Sequence, residues 1–139
     1  MADFKSRTVQ IDAPNDAVFA KLSDLENVRP LLPIAKSKGI EVKELSSDRC
    51  TLNASMVGEV SLEIVQRTPH SLIQMEGKTA LVTALAMQLR LGNEEGGTKT
   101  SLSAHLTADV PFFAQMMVDK PIREGLDKVV DLLSRLNYV

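Results

Sequence analysis

The sequence is poor in aromatic residues and in cysteine. Its 139 residues include no Trp, one Tyr and four Phe, and Cys50 is the single cysteine. Proteins that bind single-stranded nucleic acid stack the bases on aromatic side chains, so the composition argues against that class. One thiol excludes an internal disulfide, and one cysteine with two widely separated histidines does not build an ordinary zinc site. We therefore predict neither a metal nor a cofactor.

An excess of charge and a long apolar run are also missing. The 16 basic and 18 acidic residues leave a net charge of -2, which gives no electrostatic reason to expect nucleic acid or an anionic membrane as a partner. No apolar run approaches the roughly 20 residues that span a bilayer. The first seven residues lack the apolar core of a secretion signal. The sequence predicts a cytoplasmic protein without an integral membrane segment.

What the sequence does contain is a succession of short segments in which apolar and polar residues alternate. This pattern predicts an antiparallel meander with one apolar face and one solvated face. A first strand is predicted over 4–12 and a helix starting near Pro14. A short broken helix or a turn is predicted within 27–33, where two prolines stand among apolar residues. The alternating segments that follow are 40–43, 50–56, 60–64, 73–77, 85–91 and 100–106.

A long C-terminal helix, from Phe112 to about Leu136, is predicted to cover the apolar face of the sheet. After Pro121, apolar residues recur at spacings of three and four, with charged residues at 123/127, 124/128 and 131/135 as four-apart pairs. Residues 112–118 have almost no polar side, so we expect them to be buried on more than one side. Pro121 predicts a kink or a fresh helix start, and Gly125 a close approach to the sheet.

The order of these elements, with certain local motifs, resembles the START-like (SRPBCC) superfamily. The motifs are VQIDAP at 9–14, GEVSL at 58–62 and MMVDKPI at 116–122. The likeness is greatest to small stand-alone bacterial members similar to the polyketide cyclase/dehydrase-like group. Residues 46–48 depart from the birch-pollen allergen members, which carry a glycine-rich loop there, so that subgroup's ligands are not implied.

The resemblance implies an α+β helix-grip fold in one domain, residues 1–139. A curved antiparallel sheet of about seven strands would wrap around the C-terminal helix, with two short helices after the first strand. It also implies an apolar cavity between the sheet and that helix. Several methionines fall on the apolar face or on the helix, and flexible, polarizable methionine suits a tolerant pocket as well as an irregular core. The candidate ligand-binding residues are Leu32, Met56, Met75, Met87, Leu89, Thr100, Leu102, Phe113, Met116 and Met117.

No catalytic constellation is visible in the sequence. By strand parity, His105 points towards solvent together with Ser101 and Ser103, which does not favour a serine–histidine pair. Thr100 is the clearest polar residue on the inner face, where its hydroxyl either orients a ligand or has a structural role. An enzyme would show several polar side chains converging in the cavity, whereas a binding protein would show an apolar lining.

Three functions remain open. The first is binding, transport or sequestration of a small hydrophobic or lipid-like ligand. The second is an enzyme similar to the polyketide cyclases and dehydratases, and the third is a protein-interaction module of the co-chaperone or ribosome-associated type. Two apolar segments are candidate homodimer surfaces. They are residues 112–117 and the segment Ala80, Leu81 and Val82. That segment lacks turn residues, so either the strands continue there or it rims an opening or an interface.

Overall fold

The structure is a computed structural model, and it describes residues 2–54, 57–79, 82 and 84–138. Within these residues the chain forms eight strands and three α-helices. The strands are β1 (Ala2–Lys5), β2 (Val9–Ile11), β3 (Ile40–Leu45), β4 (Arg49–Ala54), β5 (Gly58–Thr68), β6 (Leu72–Thr79), β7 (Leu85–Glu94) and β8 (Lys99–Ala108). The helices are α1 (Asn15–Leu22), α2 (Leu32–Ser37) and α3 (Phe112–Leu133), with short 3-10 helices at Leu25–Leu31 and Glu95–Gly97.

All the strands belong to one antiparallel sheet in the order β1-β8-β7-β6-β5-β4-β3, with β2 also paired to β8. The predicted helix-grip fold is confirmed, with eight strands where about seven were expected. The first strand, predicted as continuous over 4–12, is two strands. Ser6 interrupts it: its backbone N–H donates to the Ala104 carbonyl at 2.9 Å, and its Oγ accepts from the Ala104 N–H at 2.8 Å.

The hydrophobic core lies between the apolar face of the sheet and the helices. In β7, Leu85, Met87, Leu89 and Leu91 are buried, and the residues between them are more exposed, as the alternation predicts. The next strand behaves in the same way, with alternate positions from Thr100 to Ala104 buried. The parity of the strands therefore identified the inner face correctly.

The second half of α3 closes the core. Leu126 and Val130 are buried against the rest of the protein. Arg7 contacts the exposed side of this half of the helix. Its backbone N–H donates to Asp127 Oδ1 at 2.8 Å, and its Nη2 lies 3.0 Å from Asp131 Oδ1. These contacts join the start of the chain to its last helix.

The charged pairs on α3 differ in part from those predicted. Asp131 does pair with Arg135, at 3.1 Å. The predicted 123/127 and 124/128 pairs are wrong, since Arg123 turns back to Asp119 at 3.1 Å and Glu124 lies 3.8 Å from Lys120. Asp127 instead accepts a hydrogen bond from the backbone N–H of Arg7. Lys128 donates through Nζ to the Lys38 carbonyl at 3.1 Å. Spacing along a helix cannot show which side chains have a better partner elsewhere.

The middle of α3 also differs from expectation. Of the two possibilities predicted at Pro121, a kink or a fresh helix start, the fresh start does not occur, because the helix runs through this residue as one element. A Cβ added to Gly125 would meet no heavy atom within 4 Å, so this glycine does not serve a close approach to the sheet. Close approach occurs at Gly77 in β6, where an added Cβ would lie 2.0 Å from the backbone oxygen of Ser61.

Alanine at these two glycines is predicted to have opposite effects on stability. Gly125→Ala should raise the free energy of unfolding by about 0.5–1 kcal/mol, because alanine loses less backbone entropy in a helix and has room here. Gly77→Ala should lower it by roughly 1–3 kcal/mol, because the paired strand must shift. Urea unfolding followed by circular dichroism measures both, and equal effects of the two substitutions would contradict the prediction.

Candidate functional site

A small apolar cavity lies between the sheet and α3. Its volume is about 60 Å³. The side chains around it come from the ends of β5 to β8, from the neighbouring loops and from two turns of the helix. Its described lining residues are Val57, Val60, Thr79, Val82, Leu85, Leu106, Ala108, Val118, Pro121 and Ile122.

The lining is hydrocarbon apart from one side chain. Thr79 is the only polar residue in the described lining, and its Oγ1 already accepts a hydrogen bond from the Val82 N–H at 3.1 Å. The described lining residues therefore offer no free polar group that would hold an ordered water. The surface offered to a ligand is therefore almost entirely apolar.

The cavity is small for a binding pocket. Its 60 Å³ compares with roughly 300–1,000 Å³ for sites that enclose a drug-sized molecule. A ligand of that size enters only if the walls move apart. The wall formed by Val118 and Ile122 belongs to the half of α3 that lies before the tethered residues Asp127 and Asp131.

The predicted ligand-binding residues lie mostly elsewhere in the core. Buried residues on the inner face of β6, β7 and β8 form the largest group, and they are Met75, Met87, Leu89, Thr100 and Leu102. Leu32 is half-buried at the start of α2. Met56 lies outside the described residues. None of the described predicted residues is among the cavity's described lining, so their contact with a ligand stays a prediction.

The residues that do line the cavity were missed for a geometric reason. Gly77, Leu85 and Ala108 share one level of the sheet, where β6, β7 and β8 meet near the end of the meander. Two of them, Leu85 and Ala108, line the cavity. Strand alternation shows which side chains face inwards, but it does not show at which level the helix crosses. The sequence did single out residues 80–82 as an apolar connection without turn residues. Val82 is buried and lines the cavity, whereas Ala80 and Leu81 lie outside the described residues.

The first half of α3 contradicts the expectation of burial on more than one side. Phe112, Phe113, Met116 and Met117 expose 88%, 84%, 91% and 77% of their surface, and Val118 is the buried residue of this segment. At 3.6 residues per turn, the four exposed side chains share an arc of about 140° on the side opposite Val118. The segment is apolar apart from Gln115, but the protein covers only the side that carries Val118.

Thr100 has a structural hydrogen bond. Its hydroxyl lies 2.8 Å from the Ala13 carbonyl and 2.8 Å from Asn15 Oδ1, and the Asn15 amide donates to the His70 carbonyl at 3.0 Å. This network joins β8 to the start of α1 and to the turn before β6. It favours the structural role of Thr100 over the ligand-orienting one.

Replacing Thr100 should therefore destabilise the fold. Thr100→Val is predicted to lower the free energy of unfolding by about 1–3 kcal/mol, because buried oxygens of Ala13 and Asn15 lose their donor. Thr107→Val, on the same strand, is the control. Its hydroxyl bonds Asp3 Oδ1 at an exposed position, so we expect a change within about 0.5 kcal/mol. Equal losses in urea unfolding would show that the buried network is not the cause.

The single cysteine, Cys50, is not activated as a nucleophile. It lies half-buried in β4, and burial raises the pKa of its thiol from an ordinary 9.0 to about 11. Because desolvation disfavours the thiolate, the residue is a weak nucleophile at neutral pH. A catalytic role for Cys50 is accordingly disfavoured.

The same burial predicts a loss of stability in alkali. Below pH 9 the thiol is protonated in both states. Between pH 9 and about 11 the unfolded chain releases the proton first, so stability falls. Urea unfolding at pH 8 to 11 should show a smaller loss for Cys50→Ala than for the native sequence. Some loss remains, because burial also raises the pKa of Tyr138. Identical pH profiles would contradict the prediction.

His105 is less exposed than parity predicted. Its side chain is 18% exposed, and its Nε2 lies 3.4 Å from Asp3 Oδ1 at the edge formed by β1. Its neighbour Ser101 directs Oγ to the Gly92 carbonyl at 3.4 Å. These contacts belong to the sheet edge, and they do not form a nucleophile with a base.

A larger hollow of about 950 Å³ is bounded by residues of β3 to β7. Charged side chains of both signs line it, and two of them, Arg49 and Glu63, form an ion pair with each other. In the described part of the chain, no three His, Cys, Asp or Glu residues lie close enough to hold a metal ion. No α-helix there has the length and apolarity required to cross a membrane.

A curved antiparallel sheet closed by one long C-terminal helix, with a cavity between them, defines the helix-grip class. The family described as polyketide cyclase / dehydrase and lipid transport matches residues 5–134, and the chain belongs to this family.

Solved structures share the fold at low sequence identity. A START superfamily protein from Mycobacterium smegmatis is 16% identical, with a TM-score of 0.69 over 95% of this chain and 94% of that one. A Thermobifida fusca protein is 15% identical, with a TM-score of 0.68 over 96% and 91%. Norcoclaurine synthase from Thalictrum flavum is 13% identical, with a TM-score of 0.71 over 96% and 84%. No curated protein matches the sequence.

Proposed function

We propose that this protein binds a small hydrophobic or lipid-like molecule between the sheet and α3. The observation that carries the proposal is the almost wholly apolar lining of the cavity, in which the one described hydroxyl, that of Thr79, is already engaged. Membership of a family whose description includes lipid transport supports it.

Apolar burial would supply the affinity. Removing apolar surface from water contributes about 25 cal/mol per Å². Separating Val118 and Ile122 from the sheet to admit a ligand costs part of that gain. Because the described lining lacks a free polar group to recognise a functional group, selectivity rests on size, and one methylene is worth only about 1–3 kcal/mol. We therefore expect modest affinity and a range of accepted ligands.

An enzymatic function is less well supported by the site. One structural neighbour is a synthase by name, and the family description includes cyclases and dehydrases. General acid–base chemistry needs a titratable group within hydrogen-bonding reach of the substrate. The described lining of the cavity contains no such side chain. The composition of this lining fits a binding protein better than an enzyme.

Binding can be tested with the neutral apolar dye N-phenyl-1-naphthylamine and with native mass spectrometry. The native protein should take up the dye saturably and retain an apolar molecule that is lost on denaturation. The double variant Val60→Leu/Val118→Leu adds one methylene to each of two cavity walls. It should weaken dye binding by about tenfold or more, since it fills the space that the ligand must enter.

The matched control is Val65→Leu, which adds a methylene to an exposed valine of β5. It should leave dye binding unchanged. The proposal fails if the native protein shows no saturable binding and no retained molecule, or if filling the cavity has no effect on the dye.

A further inference from the structure

The four exposed side chains at the start of α3 form one apolar surface. Phe112, Phe113, Met116 and Met117, here named the α3 patch, are each more than three-quarters exposed and lie side by side on one face of the helix. Soluble proteins expose single apolar side chains commonly, but contiguous groups of large ones mark an interaction site. We therefore expect the α3 patch to contact a partner.

The end of the protein that carries the patch has little charge. The sequence contains no Asp, Glu, Lys or Arg in 50–58, in 79–89 or in 110–118. Val57, Val82 and Val118, one from each segment, meet around the cavity. On α3, the first charged residues after the patch are Asp119 and Lys120, which pair with Arg123 and Glu124.

From these observations we propose that the α3 patch docks this protein on the surface of a lipid bilayer. Two phenylalanines and two methionines would enter the boundary between head groups and acyl chains, as the apolar face of an interfacial helix does. Fluid acyl chains accommodate side chains that protrude, and they need no matching pocket. A protein partner instead offers a pocket for each anchoring side chain.

A second copy of the chain fits the patch less well. Four side chains of this size expose on the order of 500–700 Å², below the roughly 800 Å² that each partner buries in a standard interface. The charges beside the patch are already paired within the same helix, so they are not set to bond a facing copy. The predicted homodimer contact through residues 112–117 is the competing outcome of the test.

The charges near the α3 patch also predict which lipids are sufficient for docking. Proteins that dock through anionic lipids carry clusters of Lys or Arg, and their binding weakens as salt rises. Near the patch the basic residues Lys120 and Arg123 are balanced by Glu124 and Asp119. Docking should therefore occur on zwitterionic phosphatidylcholine, and it should change little with salt.

Docking would serve ligand exchange, and this step rests on the proposed function. Val118 and Ile122 line the cavity on the side of α3 opposite the patch, within two turns of it. A helix is about 10 Å across, and interfacial helices sit about 5–10 Å deep. A docked α3 would hold the cavity next to the layer from which an apolar molecule leaves.

The test is co-sedimentation of the full chain with vesicles of pure phosphatidylcholine, and with phosphatidylcholine vesicles that contain an anionic lipid, each at low and high salt. The native protein should bind at both. Phe113→Gln/Met116→Gln should weaken binding by at least about tenfold, because two inserting side chains are lost. Ile34→Gln/Val65→Gln also removes two exposed apolar side chains, but from outside the patch, and it should bind as the native protein does.

Three results would overturn the proposal. They are absence of binding to phosphatidylcholine, binding that requires anionic lipid and vanishes with salt, and equal binding by the two double variants. A dimer in sedimentation velocity that Phe113→Gln/Met116→Gln dissociates, without vesicle binding, would assign the patch to a second copy. The bilayer-docking proposal and the ligand-binding proposal are separated by measuring dye binding of the same double variants without vesicles. A variant that no longer docks should still take up N-phenyl-1-naphthylamine.

Discussion

Contact between the second half of α3 and the apolar face of the sheet is the constraint on which the rest of the structure depends. An antiparallel sheet with one apolar face must cover that face, and Leu126 and Val130 are buried where the helix does so. The polar contacts of Arg7 with Asp127 and Asp131 are exposed and contribute less energy than the burial, but they fix the helix in place. The cavity lies further towards the start of the helix, next to Val118, Pro121 and Ile122.

This division of α3 explains why one helix contributes to two different surfaces. From Leu126 onwards the helix supplies Leu126 and Val130 to the core, and Asp131 forms an ion pair with Arg7. Residues before Pro121 use Val118 to line the cavity and expose the α3 patch on the other side. The proposed ligand binding and bilayer docking both depend on that division.

Much of the fold could be predicted from the sequence, because period-two alternation and one long amphipathic helix are strong signals. They placed Met75, Met87 and Leu102 in the core correctly. The position of the cavity was harder to predict, because it depends on where α3 crosses the sheet. Neither the strand alternation nor the helical spacing of apolar residues contains that information. The hydrophobicity of residues 112–117 predicted burial, yet a helix packed on one side leaves its other side in water. Ser6 split a strand because its side chain replaces a backbone partner, which alternation cannot show.

The interruption at Ser6 also bears on how the sheet is closed. Both strands beside it pair with β8, with Ala2 opposite Ala108 and Ile11 opposite Thr100, so their partner is the last strand that the structure describes. Pairings between residues so far apart in sequence slow folding, because a long loop must close before they form. The strands from β3 to β7 each pair with their neighbours in sequence, which are local contacts. The edge of the sheet at β8 is thus the part whose formation depends most on long-range contacts.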